Sequence, residues 1–334
     1  MQAAAENAAS LGPASATIAS TLFKAVAPMI AKAAVAMLRD RRTKASAMGL
    51  IGINSNETYD YRVPAANHPL LDLTEAHPDD VSAFCSMAGP ALAHARKNDW
   101  LEIQELVTLD FSRNIVLIGS PEAESLLRLI FDYRRPKQGA GLKYVGETFD
   151  APYRWMEDPE IISAECRRYV NGLGLITRPN WPLVYQSTSG DGRIIPQVGH
   201  DNLLQSDLLL ITVIPNFLTL KGLESGRKII SIAGTHGVGT RSIELVLKSR
   251  GVLRQIHDGL STRPNAFQIV IEAQRLKHHV RRGTNATRVT LRDVRHFERP
   301  YSAWEAANRA VARRFSDWVA EDNRRNRPLP PDRR

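Results

Sequence analysis

The chain has 334 residues, 43% of them hydrophobic, and a formal net charge of +9. That is enough apolar residue for a large core, and the length suggests about two domains. Two cysteines, Cys85 and Cys166, exclude a disulfide framework. Neither has zinc-type spacing, so no structural metal is expected, and both read as small core hydrophobes in a reducing cytosol. From Lys277 to Arg334 there are 15 Lys/Arg against 7 Asp/Glu, so nearly all of the excess charge lies at the C-terminal end. A solvated basic surface is the simplest reading of that stretch.

Residues 1–16, rich in Ala, Ser, Gly and Pro, are expected to form a disordered tail. Ile18, Leu22, Ala25, Met29, Ala33 and Ala36 recur at helical spacing and predict a helix over 17–42, closed by Arg39, Arg41 and Arg42. Lys24, Pro28 and Lys32 interrupt it. A lysine near a bilayer centre costs about 3 kcal/mol, which favours a packing or oligomerisation helix over a membrane contact. Residues 43–80 contain several breakers (Pro64, Pro69, Pro78) and read as a linker or loop-rich wrap. Val81 to Lys97 reads as helical, broken near Gly89-Pro90. Residues 99–109 fit two templates, a helix capped at Asp99-Trp-Leu-Glu102 and a strand with Leu101, Ile103, Val107 and Leu109 alternating.

Clear α/β patterning starts at Asn114. Asn114-Ile-Val-Leu-Ile-Gly119 predicts a strand buried on both faces. Ser120 follows as N-cap and Pro121 suits the first helical position, with Leu126, Leu127, Ile130 and Phe131 on the buried face. Gly139 to Asp158 is irregular and aromatic, and Glu160 to Tyr169 reads as a helix stopped by Asn171-Gly172. Leu183–Gln186 and Arg193–Val198 flank Ser189-Gly-Asp-Gly192 as a hairpin. Asp207–Ile214 is a strongly apolar strand stopped by Pro215-Asn216. A second buried strand from Arg227 leads into the glycine turn Gly234-Thr-His-Gly-Val-Gly-Thr-Arg241 and a helix. Ala266–Ala273 alternates, with Gln268 and Glu272 expected at the surface, and Thr287–Leu291 does the same, with Arg288, Thr290 and Arg292 on one face. Both read as half-exposed antiparallel strands. A final helix over 302–323 carries the stripe Trp304, Ala307, Val311, Phe315, Trp318, and residues 324–334 form a basic tail.

Two turns offer helix N-termini. At the second, Gly234, Gly237 and Gly239 let the backbone turn sharply and approach a ligand. Thr240 is a candidate cap, and Thr235, His236 and Arg241 add polar groups that favour an anion. The first turn, Gly119-Ser120-Pro121, carries Glu122 and Glu124. Those carboxylates repel phosphate and suit hydroxyls or an amine. His200-Asp201 and Asp207 would form an acid/base set with His236 if the loops converge. His278 and His279 diverge as chain neighbours, so no metal pair is expected there. Arg281, Arg282, Arg288 and Arg292 are the best nucleic-acid candidates, although no aromatic residues are interleaved with them.

Three segments, Asn114–Pro121, Asp207–Asn216 and Ala233–Thr240, together resemble a Rossmann-like ligand-sensing domain of uncharacterised bacterial and archaeal regulatory proteins. More distantly they are similar to nucleotide-sensing domains of bacterial signalling and antiviral systems. The resemblance covers about residues 110–295. Relatives tend to read Gly-Gly-Pro with an Asn three residues later, where this chain has Gly119-Ser120-Pro121 and Glu124.

The combined expectation is an α/β fold: a Rossmann-like, mostly parallel sheet over 111–265 with helices on both faces, an antiparallel extension and helix over 266–323, and the long N-terminal helix. The expected function is cytoplasmic binding of a nucleotide-like or phosphorylated small molecule at Gly119, Ser120, Pro121, Asn216 and the turn Gly234–Arg241. No cofactor is required beyond such a nucleotide, and self-association would run through helix 17–42. A nucleotide N-glycosidase or related hydrolase using Glu122 or Glu124 with His236 is one alternative. A nucleic-acid-associated regulator is the other.

Overall fold

A computed structural model describes residues 44–54, 56–63, 65–68, 73–76, 78–88, 110–119, 125–134, 143–144, 148, 151–155, 183–187, 190–201, 203–262, 264–279 and 283–325. The expected tail and helix over 1–42, the 99–109 segment, the 160–169 helix and the basic end after 325 lie outside them. The chain divides into Met1–Ala47 and Met48–Arg334, and the second unit holds every element below.

The strands are β1 (Tyr59–Arg62), β2 (Ala65–His68), β3 (Leu73–Ala76), β4 (Asn114–Ile118), β5 (Tyr133–Arg134), β6 (Lys143–Tyr144), β7 (Tyr153–Trp155) and β8 (Leu183–Ser187). They continue with β9 (Gly190–Ile194), β10 (Ser206–Pro215), β11 (Lys228–Gly234), β12 (Phe267–Gln274), β13 (Lys277–His279), β14 (Gly283–Asn285) and β15 (Arg288–His296). The helices are α1 (Pro78–Ala88), α2 (Ser125–Phe131), α3 (Leu220–Glu224), α4 (Gly237–Arg241), α5 (Ile243–Lys248), α6 (Arg250–Gly259) and α7 (Tyr301–Arg325).

The fold is α/β around a six-stranded mixed sheet ordered β1-β4-β11-β10-β12-β15. β1, β4 and β11 run parallel; β10 is antiparallel to both β11 and β12, and β12 is antiparallel to β15. Antiparallel pairing thus begins at β10, well before residue 266. The connection from β10 to β11, residues 216–227 with α3, brings the chain back at the same end of the sheet instead of crossing it, so the two strands pair antiparallel. β1 supplies an edge strand from within 43–80, the stretch read as a linker or wrap. Tyr59 on β1 is buried, and its hydroxyl accepts from Asn54 N and has Glu57 Oε2 at 3.0 Å and Gly52 O at 3.1 Å as alternative acceptors for its one proton.

Both faces of the sheet are covered, which is why β10 is apolar at nearly every position. Ile115, Leu117, Leu208, Leu210, Ile214 and Ile229 face α2 and α7 in one cluster, with Trp304 stacked on Phe217 at 5.6 Å between ring centroids. The other face carries Leu209, Ile211 and Val213 beside Ile230 and Ile232, and lies under α4–α6. Val294, paired with Ile269 on that face, would be 3.0 Å from a Cβ at Gly259 of α6.

The polar side of β12 is buried, contrary to expectation. β7, β8 and β9 form a second small sheet, and β7 lies over it. Gln268 accepts from Tyr153 N and donates to Tyr153 O and Thr212 Oγ1, while the Tyr153 hydroxyl donates to Asp293 Oδ2 at 2.5 Å. Glu272 is 4% exposed in its side chain and pairs with Arg292. Burial of these groups is tolerated because each has a partner. Gly190, Asp191 and Gly192, expected in the turn of the hairpin, belong instead to β9, with Gly190 paired to Ser187 of β8. Cys85 is exposed on α1 rather than in the core, and Cys166 lies outside the described residues. A buried ion pair, Arg314–Asp132 at 3.1 Å, ties α7 to the end of α2, and Arg314 also donates to Leu129 O and Thr148 Oγ1.

Among the described residues no helix is long and apolar enough to cross a membrane.

Candidate functional site

β4 and β11 are adjacent and parallel, with Ile118 paired to Ile232. Their C-terminal turns therefore stand side by side. Gly119 takes φ +106°, a region that favours glycine, and its N–H donates to Ile232 O. The chain leaving β4 runs to α2 on the face that holds Trp304. The chain leaving β11 runs to α4 on the opposite face, where Gly239 sits against Leu208 and Asp207. Adjacent parallel strands whose connections depart to opposite faces leave a crevice between their carboxyl ends, where open α/β sheets bind ligands.

The glycine turn is built differently from the anion cradle expected of it. β10 starts beside the end of β11, with Leu209 opposite Gly234, so Asp207 lies directly over the turn. The Asp207 carboxylate is buried. Its Oδ2 accepts from His236 N at 3.2 Å and from Gly239 N at 2.7 Å; its Oδ1 accepts from Leu208 N and lies 3.0 Å from His236 Nδ1. The negative charge that these amides attract is one of the chain's own. Gly234 N donates instead to the Thr240 hydroxyl, and Thr235 N to Leu208 O.

Steric contacts account for two of the glycines. A Cβ at Gly234 would lie 2.2 Å from Thr240 N, and one at Gly239 would lie 2.3 Å from Leu208 O and 2.7 Å from Asp207 Oδ2. The backbone needs that room to wrap around the carboxylate. Thr240 is not the cap of α4: His236 holds the N-cap position, and Thr240 lies inside the helix with its hydroxyl turned back to β11. Thr235, His236 and Gly237 form the partly exposed lip of the turn.

The other candidate residues fall as follows. Arg241 pairs with the buried Asp79 of α1 at 3.6 Å. Asn216 lies at the opposite end of the sheet, because β10 runs against β11. It is buried there, donates to Phe111 O and Arg113 O and accepts from Leu218 N, so it pins loops together and is no part of the crevice. Ser120, Pro121, Glu122, Glu124, Arg281 and Arg282 lie outside the described residues. Of the proposed acid/base set, Asp207 and His236 meet, while His200 is exposed on the turn where Asp201 accepts from Leu203 N. Arg292 is a bulge residue of β15 engaged by Glu272, and Arg288 is exposed at the start of that edge strand. The His278 ring is bonded to Thr284 Oγ1. No group of three or more His, Cys, Asp or Glu among the described residues could hold a metal ion.

The chain matches no family model, no curated protein and no solved structure.

Sequence reasoning missed the central role of Asp207. The available signal was an acid at the head of an otherwise apolar strand, since a buried carboxylate must find several donors.

Proposed function

We propose that the chain binds a nucleotide-like small molecule in the crevice between the Gly119 and Gly234 turns and acts as a sensor in regulation or defence. The observation that carries this reading is the departure of the β4 and β11 connections to opposite faces of the sheet. With Asp207 already on the amides, a phosphate gains little from the glycine turn. The ligand would instead meet the lip Thr235–Gly237 through hydroxyls or ring nitrogens that hydrogen-bond to His236. The test is equilibrium dialysis of the full chain with NAD and ATP. Retention that His236→Ala lowers by about tenfold, the scale of one good hydrogen bond to a charged or buried partner, supports the reading. No retention of either compound, or retention indifferent to His236→Ala, refutes it.

One contact favours a second reading, a hydrolase. A buried carboxylate on Nδ1 fixes the tautomer and orientation of a histidine acting as general base, and the Asp207–His236 pair has that arrangement. Glu122 or Glu124 would supply the second carboxylate. Turnover of NAD that disappears in both His236→Gln and the Glu122→Gln, Glu124→Gln double variant would establish it. Intact NAD after prolonged incubation would remove it.

A further inference from the structure

At the end of the sheet opposite the crevice, a cavity of about 300 Å³ opens between the end of β10, the start of β11 and the start of α7. Arg227, Lys228 and Arg299 line it, against one lining acid, Glu298. Concavities lined mainly by one sign of charge concentrate the field and draw in the opposite charge. The first turn of α7 adds no acid. Tyr301 stands at the opening, 47% exposed, while Trp304 is buried against Phe217. Tyr301 thus stands beside the cluster of cations, and its flat face suits a ring. Acids outside the lining flank it: Glu57 interacts with Lys228, and Glu224 and Glu305 with the Tyr301 hydroxyl. The volume lies at the small end of ligand pockets, right for a mononucleotide and short for a dinucleotide.

We propose that this cavity binds an organic monophosphate bearing a flat ring, its phosphate among Arg227, Lys228 and Arg299 and its ring against Tyr301. The site is separate from the β4–β11 crevice and does not depend on it.

Calorimetric titration of the full chain with AMP, adenosine and inorganic phosphate tests it. AMP is expected to bind more tightly than either half alone. Arg227→Glu and Arg299→Glu should each weaken AMP by about tenfold or more, with an unchanged melting temperature. Tyr301→Ala should weaken AMP and leave phosphate unaffected. If Arg299→Glu unfolds the chain, the partly exposed Arg227 and the exposed Tyr301 still carry the test. Absence of AMP binding overturns the proposal, as does AMP binding that Arg227→Glu and Tyr301→Ala leave intact. AMP binding lost in His236→Ala but kept in Arg227→Glu places the ligand in the crevice and also overturns it.

Discussion

Asp207→Ala removes the acceptor around which the Gly234–Arg241 turn is folded. Gly239 N and Leu208 N are buried and would lose a charged acceptor at 2.7 and 2.9 Å. Leaving Leu208 N without that partner costs about 1–3 kcal/mol, while Gly239 N, which also donates to His236 O at 3.1 Å, gives up the charged bond at a cost of about 1 kcal/mol. His236 N stands at the partly exposed lip, but its ring is only 9% exposed, so loss of the carboxylate there costs about 1–2 kcal/mol. The expected loss is therefore about 3–6 kcal/mol, a large fraction of the stability of an ordinary domain. Asp207→Asn keeps the volume but turns an NH2 toward one pair of N–H donors, so it should lose about 1–3 kcal/mol. His236→Ala leaves the backbone bonds in place and should lose about 1–2 kcal/mol. Urea unfolding of the three variants gives these numbers as shifts in midpoint at constant slope. An Asp207→Ala protein within about 1 kcal/mol of the parent would refute the reasoning, as would a His236→Ala loss equal to that of Asp207→Ala.

Three further outcomes follow from the same geometry. Gly239→Ala should cost more than about 3 kcal/mol, because its Cβ meets backbone at 2.3 Å, whereas Gly251→Ala on α6 has open space and should gain up to about 1 kcal/mol in thermal melts. Breaking the buried pair with Asp132→Ala or Arg314→Met should cost about 3–5 kcal/mol each, and the double variant less than the sum, as measured by urea unfolding of the cycle. Burial pushes the Glu57 carboxyl upward, but hydrogen bonds from Asn54, Tyr59 and Asn114 and the nearby Lys228 outweigh it and hold it below its ordinary value of 4.5. A lowered carboxyl stabilises the fold fully above that value and loses its contribution as pH falls through the folded one. Glu57→Gln should therefore flatten the acid limb of a pH–stability curve, and an unchanged acid limb would show that Glu57 contributes nothing there.

Much of the central sheet is legible from residue pattern. Continuous apolar runs mark β4, β10 and β11, since a strand covered on both faces has no reason to alternate. The three-and-four spacing of Trp304, Ala307 and Val311 marks the buried stripe of α7 in the same way. The spacing of Gly234, Gly237 and Gly239 marks a place where backbone comes close to something. Pattern reports which segments are buried, and that is a property of a segment by itself.

Partnership is a different matter. Nothing in Asp207–Ile214 says whether that strand runs with or against β11, and this direction alone sends Asn216 to the far end of the sheet and sets Asp207 over the turn. A run without alternation carries no face or direction for a neighbour to read. Gln268 and Glu272 look like surface residues until β7 and Arg292 are brought to them from distant parts of the chain. Residue order therefore determined which segments would be buried and where the backbone had to be bare. Only packing in three dimensions decided that a carboxylate 29 residues upstream of His236 would fill the space the glycines leave, because a hydrogen bond depends on distance through space and not along the chain.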